Sequence, residues 1–173
     1  MTSDRQLRIE CVRGDIAAQP DLDAIVNAAN AMLAPGAGVA GAIHRAAGSG
    51  LYAECEQLAP IRTGQAVITG AHRLPNWWVV HTLGPVYGRD EPAADLLTSC
   101  HRESLRIADE AGAKSIGFPA ISTGVFGYPV EKAAPVAVSA VRNTAPSLRT
   151  IELVRFVLWD NEAMTAFKAA LRA

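Results

Sequence analysis

The sequence holds little of what small secreted folds rely on. Cysteine occurs only three times in 173 residues, at Cys11, Cys55 and Cys100. An odd, scattered set gives no disulfide framework, and no Cys-x-x-Cys, His-Glu-x-x-His or finger spacing marks a zinc site. Reduced thiols in a cytoplasmic protein are the plain expectation, with no metal and no cofactor. An excess of one charge is absent too: 16 Lys and Arg face 17 Asp and Glu, leaving a formal −1. That excludes a strongly basic surface, so nucleic acid is not an expected partner. Long hydrophobic runs are also missing. The N-terminal stretch carries Asp4, Arg5, Arg8 and Glu10 with no apolar signal core. Nothing elsewhere approaches the roughly 20 apolar residues of a spanning helix, so no membrane partner is expected.

What is present is a chain with half its residues apolar. It is long enough to bury a sizeable core without staples, and it reads as one domain, 1–173, acting as a monomer. Short apolar runs alternate with helical periodicities, the mark of an α/β fold with a sheet between helical layers. Leu7, Ile9 and Cys11 alternate with Arg8 and Glu10, predicting a first strand near a sheet edge. Ala24-Ile25-Val26 is a short buried run ending in Asn27. Gly38–Ala47 reads as a helix rich in small residues, and 51–58 as a second helical piece.

Residues 66–69 and 77–82 read as strands, the latter dense in β-formers. A long amphipathic helix is expected over 90–111, with Pro92 in its first turn and Leu97, Cys100, Ser104, Ile107, Ala108 and Ala111 on one side. Ser115–Phe118 is a compact buried strand. Residues 130–143 read as helix, with Pro135 making its first turn irregular. A strand over 150–158 and a helix over 161–171 close the chain.

Two glycine-rich loops carry the chemistry. In Pro35-Gly36-Ala37-Gly38-Val39-Ala40-Gly41, the three glycines satisfy Gly-x-Gly-x-x-Gly. The dinucleotide fingerprint also needs a strand directly before it and an acidic residue about 20 positions on, and both are missing. Glycines ahead of a helix still expose backbone N–H groups to an anion. The second loop, Ile121-Ser122-Thr123-Gly124-Val125-Phe126-Gly127-Tyr128-Pro129, follows a buried strand and precedes a helix. Its small residues allow main-chain amides to approach a phosphate. No Gly-Lys-Ser/Thr or Gly-x-Ser-x-Gly is present, so neither a P-loop triphosphatase nor a serine-hydrolase elbow is indicated. Asn27 and Asn30, three apart after a strand, either offer amides to sugar hydroxyls or brace the turn through Asx-type bonds.

These motifs, with Gly14-Asp15-Ile16, Val26-Asn27-Ala28-Ala29-Asn30, the run Gly41-Ala42-Ile43-His44-Arg45-Ala46-Ala47-Gly48, Val80-His81-Thr82-Leu83-Gly84-Pro85 and Phe156-Val157-Leu158-Trp159-Asp160, resemble the macrodomain family in its MacroD-type branch. The resemblance runs from about Leu7 to the C-terminus. It implies a three-layer α/β/α sandwich with a mixed, roughly six-stranded sheet, and ADP-ribose or O-acetyl-ADP-ribose as ligand, free or on ADP-ribosylated macromolecules. On that resemblance Asp15 accepts from the adenine N6 amine with the Ile16 N–H nearby, and Trp159 covers the base. Gly36, Ala37, Gly38 and Val39 would clasp the diphosphate together with Ser122, Thr123, Gly124, Val125 and Gly127. Phe126 would sit beside the distal ribose, Asn30 would bind its hydroxyls, and Asn27 would contact the ligand or support the loop from behind.

The chain also departs from the family pattern. Hydrolytic members read Gly-Gly-Gly-Val-Asp-Gly through the first loop. Here Ala37 replaces a glycine, and Ala40 stands where the water-orienting aspartate would be. A methyl group cannot take a proton or align a water. Asn30 and His44, the latter one helical turn beyond Ala40, remain as candidate catalytic groups. The resemblance therefore implies a hydrolase of esters at the distal ribose, slowed by Ala40; the alternative is a non-catalytic reader of ADP-ribose.

Overall fold

The computed structural model describes residues 6–173. Residues 1–5, including Asp4 and Arg5, lie outside them. The strands are β1 (Arg8–Arg13), β2 (Ala24–Ala28), β3 (Ala66–Gly70), β4 (Trp78–Thr82), β5 (Ser115–Phe118) and β6 (Leu153–Leu158). The helices are α1 (Gly38–Ala47), α2 (Ser49–Cys55), α3 (Ala93–Ala111), α4 (Val130–Thr144) and α5 (Asn161–Arg172). The strands form one six-stranded sheet in the order β1-β6-β5-β2-β4-β3. All neighbours run parallel except β3 against β4.

Burial explains which strand sits where. The interior strands β2 and β5 are runs of apolar residues buried on both faces, as parallel strands covered by helices must be. The edge strand β1 exposes Arg8 and Arg13 at its ends, as its alternating pattern predicted. Two apolar clusters lie on opposite sides of the sheet. One packs α3, α4 and α5 through Leu97, Leu105, Val138, Val141 and Phe167 onto Val26, Val80, Phe118 and Phe156. The other packs α1 and α2 through Ile43, Ala47, Leu51 and Cys55 onto Ile25 and Val79. These are the expected helix, sheet and helix layers.

Several boundaries differ from the sequence reading, each for a local reason. Helix α3 begins at Ala93, not residue 90, because the Asp90 carboxylate accepts from the Val86 N–H and closes a turn. Pro92 caps the helix instead of lying in its first turn. Within α3, Leu97, Cys100, Ser104 and Ala108 are buried as expected and Ile107 is half-buried, but His101 and Leu105 join them and Ala111 is exposed, so the inward face is shifted towards His101 and Leu105. Strand β6 begins at Leu153, since the Asp109 carboxylate holds the amides of Thr150 and Ile151 first. Helix α2 stops at Cys55, whose carbonyl accepts from both Leu58 and Ala59 in a closing turn. Trp77 precedes β4 and is 72% exposed. Helix α4 runs through Pro135 without a break. The proline lies in its second turn, where its missing N–H removes one bond only.

Candidate functional site

The sheet order creates a crevice before any side chain is considered. Neighbouring strands β5 and β2 send their chains to opposite faces: β2 leads to α1 on one side, β5 to α4 on the other. Such a switch point splits the loops at the strands' carboxyl ends, which is where open α/β sheets bind ligands. The two glycine-rich loops flank this opening. Neither 29–41 nor 119–129 carries a single charged side chain.

Both loops nevertheless present positive potential through the backbone. Helix α1 opens at Ala37 with no side-chain cap. The amides of Gly38, Val39 and Ala40 are therefore its orphan first-turn donors. Among the described residues, Gly124, Val125 and Phe126 likewise donate to no backbone carbonyl, while Gly127 and Tyr128 close the second loop onto Gly124 and Ser122. Val125 is almost wholly exposed at its tip. Two loops with unengaged amides at one sheet edge have the chemistry to attract an anion without cations.

The close packing of the first loop depends on Gly41: a Cβ there would run into the Gly36 carbonyl oxygen. Ser122 holds φ at +67°, an unusual conformation for a residue with a side chain. Its buried Oγ lies against Gly84, where a Cβ would collide with both Ser122 and Ile121. The Tyr87 N–H then donates to the Phe126 carbonyl at 2.9 Å. A third segment, the loop after β4, thus props the second loop from behind. The sequence reading missed that role; the run Leu83-Gly84-Pro85 was its only signal.

The side chains after β2 divide between turn and interior. Asn30 makes reciprocal bonds with Ala34, donating to its carbonyl at 2.9 Å and accepting from its N–H at 3.0 Å. This is the bracing role, and it leaves the amide one donor hydrogen beside Gly36. Asn27 is buried, with its Nδ2 3.0 Å from His81 Nδ1, facing the interior and not the crevice. The other ring nitrogen of His81 lies 3.0 Å from Thr69 Oγ1. Because an amide NH2 only donates, Nδ1 must accept and Nε2–H must donate to Thr69. Burial first, and His44 second, push His81 down to about 3, so the ring is neutral.

The far end of the crevice is formed by β1 and β6, which are paired through Arg13 and Leu158. Asp15 follows the first and Trp159 the second. One Asp15 carboxylate oxygen accepts from the Ala17 N–H at 2.9 Å, and the residue is exposed. Ile16 is buried beneath it. Trp159 is 77% exposed, so core packing does not account for it. Next to it, Asp160 caps α5 by accepting from Ala163. A cleft of about 370 Å³ runs from there to the second loop, past Thr123, Gly127 and Glu131. Within the described residues no three His, Cys, Asp or Glu side chains group closely enough to hold a metal ion.

Two remaining candidates lie on α1. Ala40 is buried in its first turn. His44 is 7% exposed, and neither ring nitrogen has a partner among the described residues. Desolvation lowers its pKa from the ordinary histidine value, which favours a neutral imidazole. Its ring lies edge-on to Tyr52, with centroids 6.2 Å apart.

A family model described as Macro domain matches residues 26–137. The chain belongs to the macrodomain family. A macro domain-containing protein of Streptomyces coelicolor is 50% identical over 169 residues, spanning 94% of this chain and 98% of its own. Among solved structures, the Oceanobacillus iheyensis macrodomain with ADP superposes with a TM-score of 0.89 at 34% identity, covering 94% of this chain and 88% of that one. The Trypanosoma brucei macrodomain in complex with ADP-ribose gives 0.88 at 36% identity, covering 95% of this chain and 69% of that one. The macrodomain fold therefore extends beyond the matched segment, to β1 and α5 at its ends.

Proposed function

We propose that this macrodomain binds ADP-ribose along the crevice and hydrolyses esters at the distal ribose slowly. Its substrates would be O-acetyl-ADP-ribose or ADP-ribose esterified to an acidic side chain. The carrying observation is the pair of uncharged loops, each with unengaged backbone amides, at a topological switch point. A diphosphate is the anion that two facing nests suit, and relatives of the same fold hold ADP and ADP-ribose.

In this reading the adenine lies at the β1 and β6 end. Asp15 accepts from N6 with the oxygen that Ala17 does not use, and the Ile16 N–H reaches the ring edge. Trp159 stacks on the base. Gly36, Ala37, Gly38 and Val39 hold the diphosphate from one side, and Ser122, Thr123, Gly124, Val125 and Gly127 from the other. Phe126 lies beside the distal ribose, and Asn30 donates its remaining amide hydrogen to a ribose hydroxyl. Asn27 acts from behind, by fixing the chain through His81.

Hydrolysis needs a water directed at the ester carbonyl, with the ribose hydroxyl leaving. Ala40 supplies no base, so the water must be held by loop amides and the ligand's own phosphate, or be deprotonated by His44. A second reading, a non-catalytic reader, is favoured by the same alanine. Calorimetry with ADP-ribose followed by turnover of O-acetyl-ADP-ribose separates the two. Asp15→Ala is expected to weaken ADP-ribose by about 1.5–3 kcal/mol, the scale of a hydrogen bond to a charged group. The inosine analogue, with a carbonyl in place of N6, should bind the unaltered protein poorly. Equal affinity for both bases would overturn the adenine assignment.

A further inference from the structure

A second cleft, of about 380 Å³, opens between the first loop and helices α1 and α2. Its walls include Pro35, Gly36, Gly41, His44, Arg45 and Tyr52. Gly36 is shared with the crevice, because its Cα also faces the Asn30 amide. The cleft is within the size range of small-ligand pockets and far larger than an acetyl group requires. Three features distinguish it from an ordinary surface groove. His44 in its wall is 7% exposed, with both ring nitrogens unpartnered among the described residues. Leaving them so is costly unless something else uses them. An occupant displacing the covering Tyr52 ring would meet a group able to donate at one nitrogen and accept at the other.

Next, Arg45 folds back over Gly41, and Arg73 packs its Cδ and Nε against Gly48, which also borders the cleft. Both arginines are exposed, and neither pairs with a carboxylate among the described residues. Finally, the nearest acid on α2, Glu54, is turned away: its carboxylate accepts from the Gly70 N–H and lies 2.8 Å from His72 Nε2. The rim is therefore positive in a chain whose net charge is −1.

We propose that this cleft receives the acceptor carried on the distal ribose, and that the acceptor is an acidic peptide segment. The proposal rests on the ADP-ribose reading of the crevice. With the ribose at Asn30, whatever is attached to it must leave the crevice, and Gly36, which neighbours the Asn30 amide, also lines the cleft. Carboxylates flanking the modified residue then meet Arg45 and Arg73, while its main chain lies along the glycine-lined wall towards His44 and Tyr52.

The test compares three ligands: free ADP-ribose, an amide-linked ADP-ribosyl peptide with glutamates flanking the linkage, and the same conjugate with glutamines there. The protein is the full chain, unaltered or carrying Arg45→Ala with Arg73→Ala, both at exposed positions. The unaltered protein should bind the glutamate conjugate more tightly than ADP-ribose, and that advantage should shrink as salt rises. In the double variant the glutamate conjugate should weaken at least about fivefold, with ADP-ribose unchanged. The glutamine conjugate should lack the salt-dependent part of that advantage and bind equally to both proteins. Equal affinity of the unaltered protein for the three ligands overturns the proposal, as does a double variant that loses all three alike. No binding of free ADP-ribose overturns the crevice reading itself, and the proposal with it.

Discussion

Restoring a carboxylate at position 40 is the sharpest perturbation available, because the structure separates its effects on folding, binding and rate. Ala40 is the third residue of α1, beside first-turn amides that no side chain caps. An aspartate there faces the positive end of the helix, a contribution of about 0.3–1 kcal/mol that reduces the cost of a polar group at a buried position. A melting curve of the variant is the control for folding. Affinity for ADP-ribose is expected to change little, because the contacts proposed for Asn30 and the loop amides use no side chain at position 40. The rate behaves differently. A positioned base is worth about 10²–10⁴-fold, and each tenfold step is about 1.4 kcal/mol of barrier. Because Ala37 replaces a glycine in the same loop, the expected gain is set below that range, at least about tenfold for Ala40→Asp. The assay is single-turnover hydrolysis of O-acetyl-ADP-ribose at saturating protein, with calorimetry on ADP-ribose beside it and His44→Ala as a third arm. A fast rate in the unaltered protein, indifferent to Ala40→Asp and lost in a folded His44→Ala, would refute the reasoning and make His44 the base.

Gly41→Ala should lower stability by about 1–3 kcal/mol, roughly 2–4 °C of melting temperature for each, and weaken ADP-ribose. Its Cβ must push the Gly36 carbonyl, and with it the first loop. Gly124→Val should leave the fold unchanged, because nothing lies within 4 Å of its added Cβ. It should melt like the unaltered protein yet lose the ligand, and normal binding would speak against the second loop. Acid should destabilise the fold before its carboxylates titrate. His81 falls from 6.5 to about 3 and His101 from 6.5 to about 4 through burial, so the unfolded chain binds more protons below pH 6.5. Stability contributed by the two neutral rings is complete above pH 6.5 and is lost as pH falls, by about 2 kcal/mol each at pH 5. Urea midpoints at pH 7 and pH 5 check this, and equal midpoints would refute it.

Most of the fold was legible because local pattern and burial agree. The bounds of α1 and β5 follow directly from runs of small or apolar residues that end at glycine, proline or a charge. One error falls where a distant carboxylate decides. Asp109 claims the amides of Thr150 and Ile151 across about 40 residues of sequence, and no periodicity within 150–158 announces it. The shifted face of α3 has a different origin. His101 reads as polar, yet its ring packs 5.0 Å from Phe118, and its Nδ1 lies 2.8 Å from the Leu97 carbonyl on its own helix. In the candidate site, the loops and the exposed Trp159 could be anticipated, whereas the division of labour between Asn27 and Asn30 could not. Spacing alone leaves open whether an amide turns inward or outward, and here a histidine on β4 decides it for Asn27.

The same limit explains why the loops' preorganisation was invisible in sequence. Ser122 and Leu33 hold φ at +67° and +56°, one on each side of the crevice. Such positions cost about 1–3 kcal/mol each and persist only where packing over-determines them. Leu33 is fully buried, and Ser122 is pinned against the bare Cα of Gly84. That strain is held by packing within the core, which fixes the backbone of both loops beside the crevice. An anion entering it then needs little reordering of the chain, and ordering costs are a large part of what association must overcome. On the diphosphate reading proposed above, the attracting field would come from backbone dipoles and not from side-chain charge, and glycine at positions 41 and 84 permits the close packing that fixes the loops.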